Sequence, residues 1–107
     1  MFEMRVEDVF TISGVGTVLT GFMQSGSISV GDQAVCKTRS REIKIRVAGL
    51  VDASSKPIKI AENGSTVGVI CKQLDLSIFS DSLQSRNGYN VIEGVILSFA
   101  PRSHWWG

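Results

Sequence analysis

Glycines near the N-terminus have the spacing of a phosphate-binding loop. The two pairs are Gly16/Gly21 and Gly26/Gly31. A Walker loop ends in Lys followed by Ser or Thr, but Phe22 follows the first pair and Asp32 the second. The carboxylate of Asp32 would repel a phosphate. The dinucleotide-binding variant also fails, because Leu19 stands where its third glycine is required. We therefore expect no nucleotide to bind to this chain alone.

The residues that bind metals or act as nucleophiles are few and scattered. Cys36, Cys71 and His104 do not make the C-x-x-C or His-rich spacings of a zinc site. Each cysteine lies within an apparent strand, which predicts buried free thiols, with a disulfide as the alternative. His104 has no evident acid or nucleophile near it in sequence. These residues predict a protein without a metal, a cofactor or enzymatic activity.

Basic residues are concentrated in one segment. Five of the eleven Lys and Arg residues lie within ten positions, and Glu42 is the only acid among them. They are Lys37, Arg39, Arg41, Lys44 and Arg46. If the chain is extended here, Lys37, Arg39 and Arg41 share one face that suits the phosphates of an RNA strand. The alternative is a solvated hairpin whose charges protect a sheet edge from aggregation.

Both tryptophans, Trp105 and Trp106, lie at the C-terminus. They are candidates for contact with a partner, since exposed indole rings can stack on bases or anchor a protein. The alternative is that they fold back over one end of the domain.

The pattern of hydrophobic residues predicts an all-β fold. Phe2, Met4 and Val6 alternate with charged residues, and Ile43, Ile45 and Val47 do the same. Short strands at close spacing favour a small closed antiparallel barrel, with those six residues pointing inwards. The turns and bulges are assigned to Gly14, Gly16, Thr17, Gly21, Gly26 and Gly31, for their backbone geometry and not for ligand contact. One short helix is expected near residues 75–83.

The size and charge of the chain limit its function. Its 107 residues form one domain, divided here into a barrel over 1–100 and a tail over 101–107. The formal net charge of +1 gives no overall attraction to nucleic acid or to a membrane. The N-terminus lacks a signal peptide and no stretch is long enough to span a bilayer, so we expect a cytoplasmic protein.

The segment from Val6 to Asp32 resembles the second domain of elongation factor Tu and related translational GTPases. The shared positions are Phe10, Ile12, Gly14, Gly16, Thr17, Val18, Gly21, Gly26, Ile28, Val30, Gly31 and Asp32. Weaker similarity extends to Cys71. Two positions depart from the pattern: Val15 stands where the family often has Arg, and Thr66 where elongation factor Tu usually has Asn.

The resemblance implies a six-stranded Greek-key barrel that contacts ribosomal RNA or the aminoacylated end of tRNA beside a GTPase domain. This chain has no GTPase motifs of its own. The leading hypothesis is a non-catalytic module that docks RNA or a ribonucleoprotein through the basic segment. The alternative is a protein interaction or structural domain, or a piece of a larger translational GTPase. A flavin-binding barrel is a third hypothesis, although the Arg-x-Tyr-Ser signature of such barrels is missing.

Overall fold

The computed structural model describes residues 2–72, 74, 79, 83–86, 89–92 and 94–99. These residues form eleven β-strands and no α-helix. The strands are β1 (Phe2–Ile12), β2 (Gly16–Ser29), β3 (Gln33–Lys37), β4 (Glu42–Arg46), β5 (Gly49–Val51), β6 (Pro57–Ile58), β7 (Ile60–Glu62), β8 (Thr66–Cys71), β9 (Leu83–Arg86), β10 (Tyr89–Ile92) and β11 (Val95–Phe99).

All strand pairs in the described residues are antiparallel. The main sheet has the order β4-β3-β11-β1-β2-β8-β5-β6, and β7 pairs with the C-terminal part of β2. Strands β9 and β10 pair with each other in a separate hairpin. One core cluster takes buried side chains from every strand of the main sheet except β6, so the sheet curls around a common interior. The predicted all-β antiparallel fold is confirmed.

In the described part of the chain, the ring of strands is completed by the covalent connection between β4 and β5 and not by strand pairing. Strands β4 and β5 belong to one bent segment, 42–51, which pairs first with β3 and then with β8. At the bend, Val47 O accepts a hydrogen bond from Gly31 N at 2.8 Å, and Ala48 N donates one to Ile70 O at 2.8 Å. Together with β3, β11, β1, β2 and β8, this segment completes a ring of six. Within the described residues, the expected closure by hydrogen-bonded strands is absent, because the paired order ends at β4 and β6.

The even-numbered residues of β1 face the core in the first half of the strand and face outwards in the second half. Phe2, Met4 and Val6 are buried, as the alternation predicts. Val6 pairs with Gly21 but Asp8 pairs with Thr20, so Glu7 is an extra residue, a β-bulge. After the bulge the even-numbered side chains point outwards, and Phe10 and Ile12 are 39% and 43% exposed. The alternation therefore identifies the core only for the first half of β1.

β1 and β2 approach each other closely at the bulge. A Cβ atom added to Gly21 would overlap the carbonyl oxygen of Arg5. Gly21 was expected to form the bulge itself, but the extra residue belongs to β1 and Gly21 is its partner. Only glycine allows this approach, since every other residue carries a Cβ atom.

Some sequence-based assignments fall outside the described residues. Of the candidate helix, residues 75–78 and 80–82 are not described, and Leu83 begins β9 instead of ending a helix. The tail 101–107, with His104, Trp105 and Trp106, is also outside the described ranges. The division into a barrel and a tail stays a prediction.

Replacing Ile45 by Asp should unfold the protein. Ile45 is buried in the core opposite Ala34, so the variant would place an unpaired carboxylate in an apolar interior. Arg46→Asp is the matched control, because the neighbouring side chain is exposed. Thermal unfolding followed by circular dichroism measures the effect. A cooperative transition at the wild-type temperature in Ile45→Asp would contradict the assignment of the inward face.

Replacing Gly21 by Ala should destabilise the fold by about 3 kcal/mol or more, since β1 and β2 must move apart. Gly14→Ala is the control: φ is +80° there, and no atom of the described residues lies within 4 Å of the added Cβ. Backbone strain alone costs about 1 kcal/mol in that variant. Urea unfolding of both variants gives the comparison. Equal destabilisation would show that the approach at Gly21 is not the tighter constraint.

Candidate functional site

The β3–β4 hairpin carries the basic segment. Lys37 lies at the end of β3 opposite Glu42, and both side chains are exposed. Lys44 and Arg46 follow Glu42 along the outward side of β4, while Ile43 and Ile45 point towards the core. Three cations and one carboxylate therefore share the outward face of this hairpin. We call it the basic hairpin, residues 33–46.

The loop between the two strands is a tight turn and not an extended segment. Thr38 N donates to the carbonyl of Arg41 at 2.8 Å, and Arg41 N donates to Thr38 Oγ1 at 3.0 Å. Arg39 and Arg41 are exposed at this tip. Lys37, Arg39 and Arg41 were expected to share one face only if the chain is extended here, and it is not extended. The two arginines instead extend the charge of the hairpin beyond the end of the sheet.

Two positions outside the segment, Gly94 and Arg5, adjoin the basic hairpin. Arg39 lies over the turn before β11, since a Cβ atom added to Gly94 would be 3.6 Å from its Nε atom. Arg5 pairs with Ile96, which pairs with Lys37, so Arg5 is two strands from Lys37 on the same outward side. Sequence reasoning missed Arg5, because it is 32 positions from Lys37 and only the strand order reveals their proximity. Its ion pair with Glu7, at 3.8 Å and half exposed, holds it weakly.

Four of the glycines assigned to turns and bulges have a left-handed backbone conformation, which favours glycine. Positive φ angles occur at Gly14 (80°), Gly16 (129°), Gly26 (70°) and Gly31 (94°). At Gly16 a Cβ atom would also lie 2.7 Å from the carbonyl oxygen of Cys71. The buried Thr17 donates a hydrogen bond from Oγ1 to the carbonyl of Leu74 at 3.0 Å. These contacts tie the start of β2 to the chain after β8.

An apolar groove lies on the outer side of the barrel, beside the tip of the β1–β2 hairpin. Its volume is about 410 Å³. The walls include Phe10, Ile12, Val15, Val51 and Ile70. We call it the hairpin groove. Sequence reasoning missed it, because its residues come from β1, β2, β5, β8 and the loop after β5.

One carboxylate lies at the edge of the hairpin groove. Asp52 Oδ1 accepts hydrogen bonds from the amides of Ser54 at 2.8 Å and Lys56 at 3.0 Å. Asp52 N donates to the carbonyl of Lys56 at 2.9 Å, which closes the loop. Ser55, between them, has a φ of 63°, uncommon for a residue with a side chain. The loop fixes the position of the Asp52 carboxylate.

The cysteines lie in the core, as free thiols. Cys36 and Cys71 are buried on β3 and β8. Burial raises the pKa of Cys36 to about 11 and, together with the charge of Cys36, that of Cys71 to about 12. Neither thiol is suited to nucleophilic chemistry, because the reactive thiolate is disfavoured. Among the described residues, no group of three or more His, Cys, Asp or Glu side chains could hold a metal ion.

Solved structures share this fold, two elongation factors among them, although no protein-family model matches the chain. A bacterial selenocysteine-specific elongation factor superimposes with a TM-score of 0.71 at 19% identity, over 92% of this chain and 14% of that one. The apo form of translation elongation factor SelB from Methanococcus maripaludis gives 0.69 at 24% identity, over 92% of this chain and 18% of its own. The chain thus spans less than a fifth of either protein.

These similarities concern the fold. The chain is an all-β domain with the architecture found in translation elongation factors, and the fold implied by the resemblance to elongation factor Tu is confirmed. No helix in the described part of the chain is long and apolar enough to cross a membrane.

The buried thiols should make stability fall at alkaline pH. Both cysteines hold their protons more tightly when folded, since their pKa values exceed the ordinary thiol value of 9.0. The unfolded chain therefore releases these protons first as the pH rises above about 9, and the folded state loses relative stability up to about pH 12. Urea unfolding at pH 8 and pH 10 measures the decrease. A Cys36→Ala, Cys71→Ala double variant should show a smaller decrease; an equal decrease would contradict the thiol assignment.

Proposed function

We propose that this chain is a non-catalytic binding module that docks RNA, either tRNA or ribosomal RNA, in the cytoplasm. The observation that carries the proposal is the basic hairpin, on a fold found in translation elongation factors. Its outward face presents Lys37, Lys44 and Arg46, and its tip presents Arg39 and Arg41. Phosphate contacts of this kind supply affinity without reading sequence.

The geometry of the basic hairpin supports contact with a nucleic-acid backbone. Alternate residues of a strand point to the same side, so Lys44 and Arg46 are about 7 Å apart along β4. Lys37 lies on the neighbouring strand, about 5 Å away in the pairing direction. Arg5 adds a fourth position two strands further on. The cations thus cover an area and not a point, which favours a polyanion over a single small anion.

The second candidate function is an interaction or structural domain within a larger translational GTPase. The short coverage favours it, since the chain matches 14% and 18% of the two elongation factors. In that arrangement the chain itself binds no nucleotide, and a GTPase domain is one of its partners. Both candidates share the barrel and differ in what contacts it.

A charge-reversal variant tests the RNA proposal. In Lys37→Glu, Arg39→Glu, Arg41→Glu, the affinity for a short single-stranded RNA at low salt should fall by about tenfold or more. The slope of log affinity against log salt should also decrease by about 0.7 for each phosphate that the variant no longer binds. Electrophoretic mobility shift at several salt concentrations measures both.

The matched control changes the same net charge elsewhere. Lys56, Lys59 and Lys72 are exposed and lie outside the basic hairpin. Replacing all three by Glu should leave most of the RNA affinity intact. If affinity falls equally in the two triple variants, the binding reflects net charge and the basic hairpin is not the site. If wild-type protein does not bind RNA at low salt, the interaction-domain candidate replaces the RNA proposal.

A further inference from the structure

The hairpin groove differs from the basic hairpin in its electrostatic character. Asp52 is the only charged residue among the described residues that line it. The side chains of Phe10, Ile12 and Val15 at its edge are each about 40% exposed. Exposed apolar side chains beside a concave surface are typical of sites that bury a partner's apolar side chain. The groove therefore offers apolar contact and one negative charge.

This combination disfavours a nucleic acid in the groove. A phosphate beside Asp52 would be repelled, and no Lys or Arg of the described residues lines the groove to compensate. The tip of the β1–β2 hairpin carries the uncharged Val15, so it supplies no positive charge to the groove. The ligand that complements the groove is apolar and carries a positive charge, not a negative one.

We propose that the hairpin groove docks a peptide segment of a partner protein that presents an apolar side chain next to Lys or Arg. The apolar side chain occupies the space between Phe10, Val51 and Ile70. The basic side chain pairs with the carboxylate of Asp52, whose Oδ1 atom is already held by two backbone amides. A pre-positioned carboxylate loses little conformational freedom when the partner binds. The RNA and peptide surfaces are separate, so this proposal does not depend on RNA binding.

Titrations followed by NMR amide shifts test the proposal with three small probes. They are the peptide acetyl-Leu-Phe-Lys-Arg-amide, the peptide acetyl-Leu-Phe-Glu-Glu-amide and adenosine monophosphate. The basic peptide should shift the amides of Val51, Gly68 and Ile70 at millimolar concentration, and should bind about fivefold tighter than the acidic peptide. Adenosine monophosphate should not shift these amides.

Two variants localise the charge. Asp52→Asn keeps the Oδ1 acceptor for the amides of Ser54 and Lys56 and removes only the charge, so the fivefold preference for the basic peptide should disappear. Val15→Arg should weaken the basic peptide by a similar factor and allow the nucleotide to bind. Glu62→Gln, which removes an exposed carboxylate from β7, is the control and should change nothing.

Four results would overturn the proposal. One is equal binding of the basic and acidic peptides to wild-type protein. Another is a preference for the basic peptide that persists in Asp52→Asn. The last two are a stronger response of the groove amides to adenosine monophosphate than to either peptide, and no response to the basic peptide at all. If the nucleotide binds best, the groove is a nucleobase site.

Discussion

The contact between the β1 and β2 backbones at Gly21 is the constraint from which the rest of the structure follows. β2 is the longest of the described strands, and it pairs with β1 on one side and with β8 and β7 on the other. β2 therefore connects the two parts of the main sheet. The absent side chain at Gly21 lets the Arg5 carbonyl approach, and the extra residue Glu7 is accommodated at the same place. A bulge of this kind bends the strand and increases its twist.

The bulge also determines which surfaces are available for binding. Before Glu7, β1 points its large apolar side chains into the barrel; after it, Phe10 and Ile12 point outwards and form the hairpin groove. Without the phase change, these two side chains would continue the inward row. On β4 the alternation is regular, so one side supplies the core and the other supplies the cations of the basic hairpin. On β3, Val35 is buried on the outward side, between Gln33 and Lys37. The same barrel thus presents two surfaces of opposite character.

The sequence predicts what local patterns control and misses what the strand order controls. The alternation around Ile45 gives the inward face of β4 because the hairpin has no bulge. The bulge at Glu7 is not visible in the sequence, since it depends on the register of β1 against β2. Closure by the bent segment 42–51 has no local pattern either, because its two halves pair with strands that are far apart in the chain. The hairpin groove combines residues from Phe10 to Ile70 for the same reason.

The proposal that the basic hairpin contacts RNA is tested most directly by NMR chemical-shift mapping with a short single-stranded RNA. We expect amide shifts at low salt to cluster in residues 37–46 and at Arg5, to decrease as salt is added, and to leave Val51, Gly68 and Ile70 unchanged. Shifts confined to those three groove residues, with none in 37–46, would contradict it.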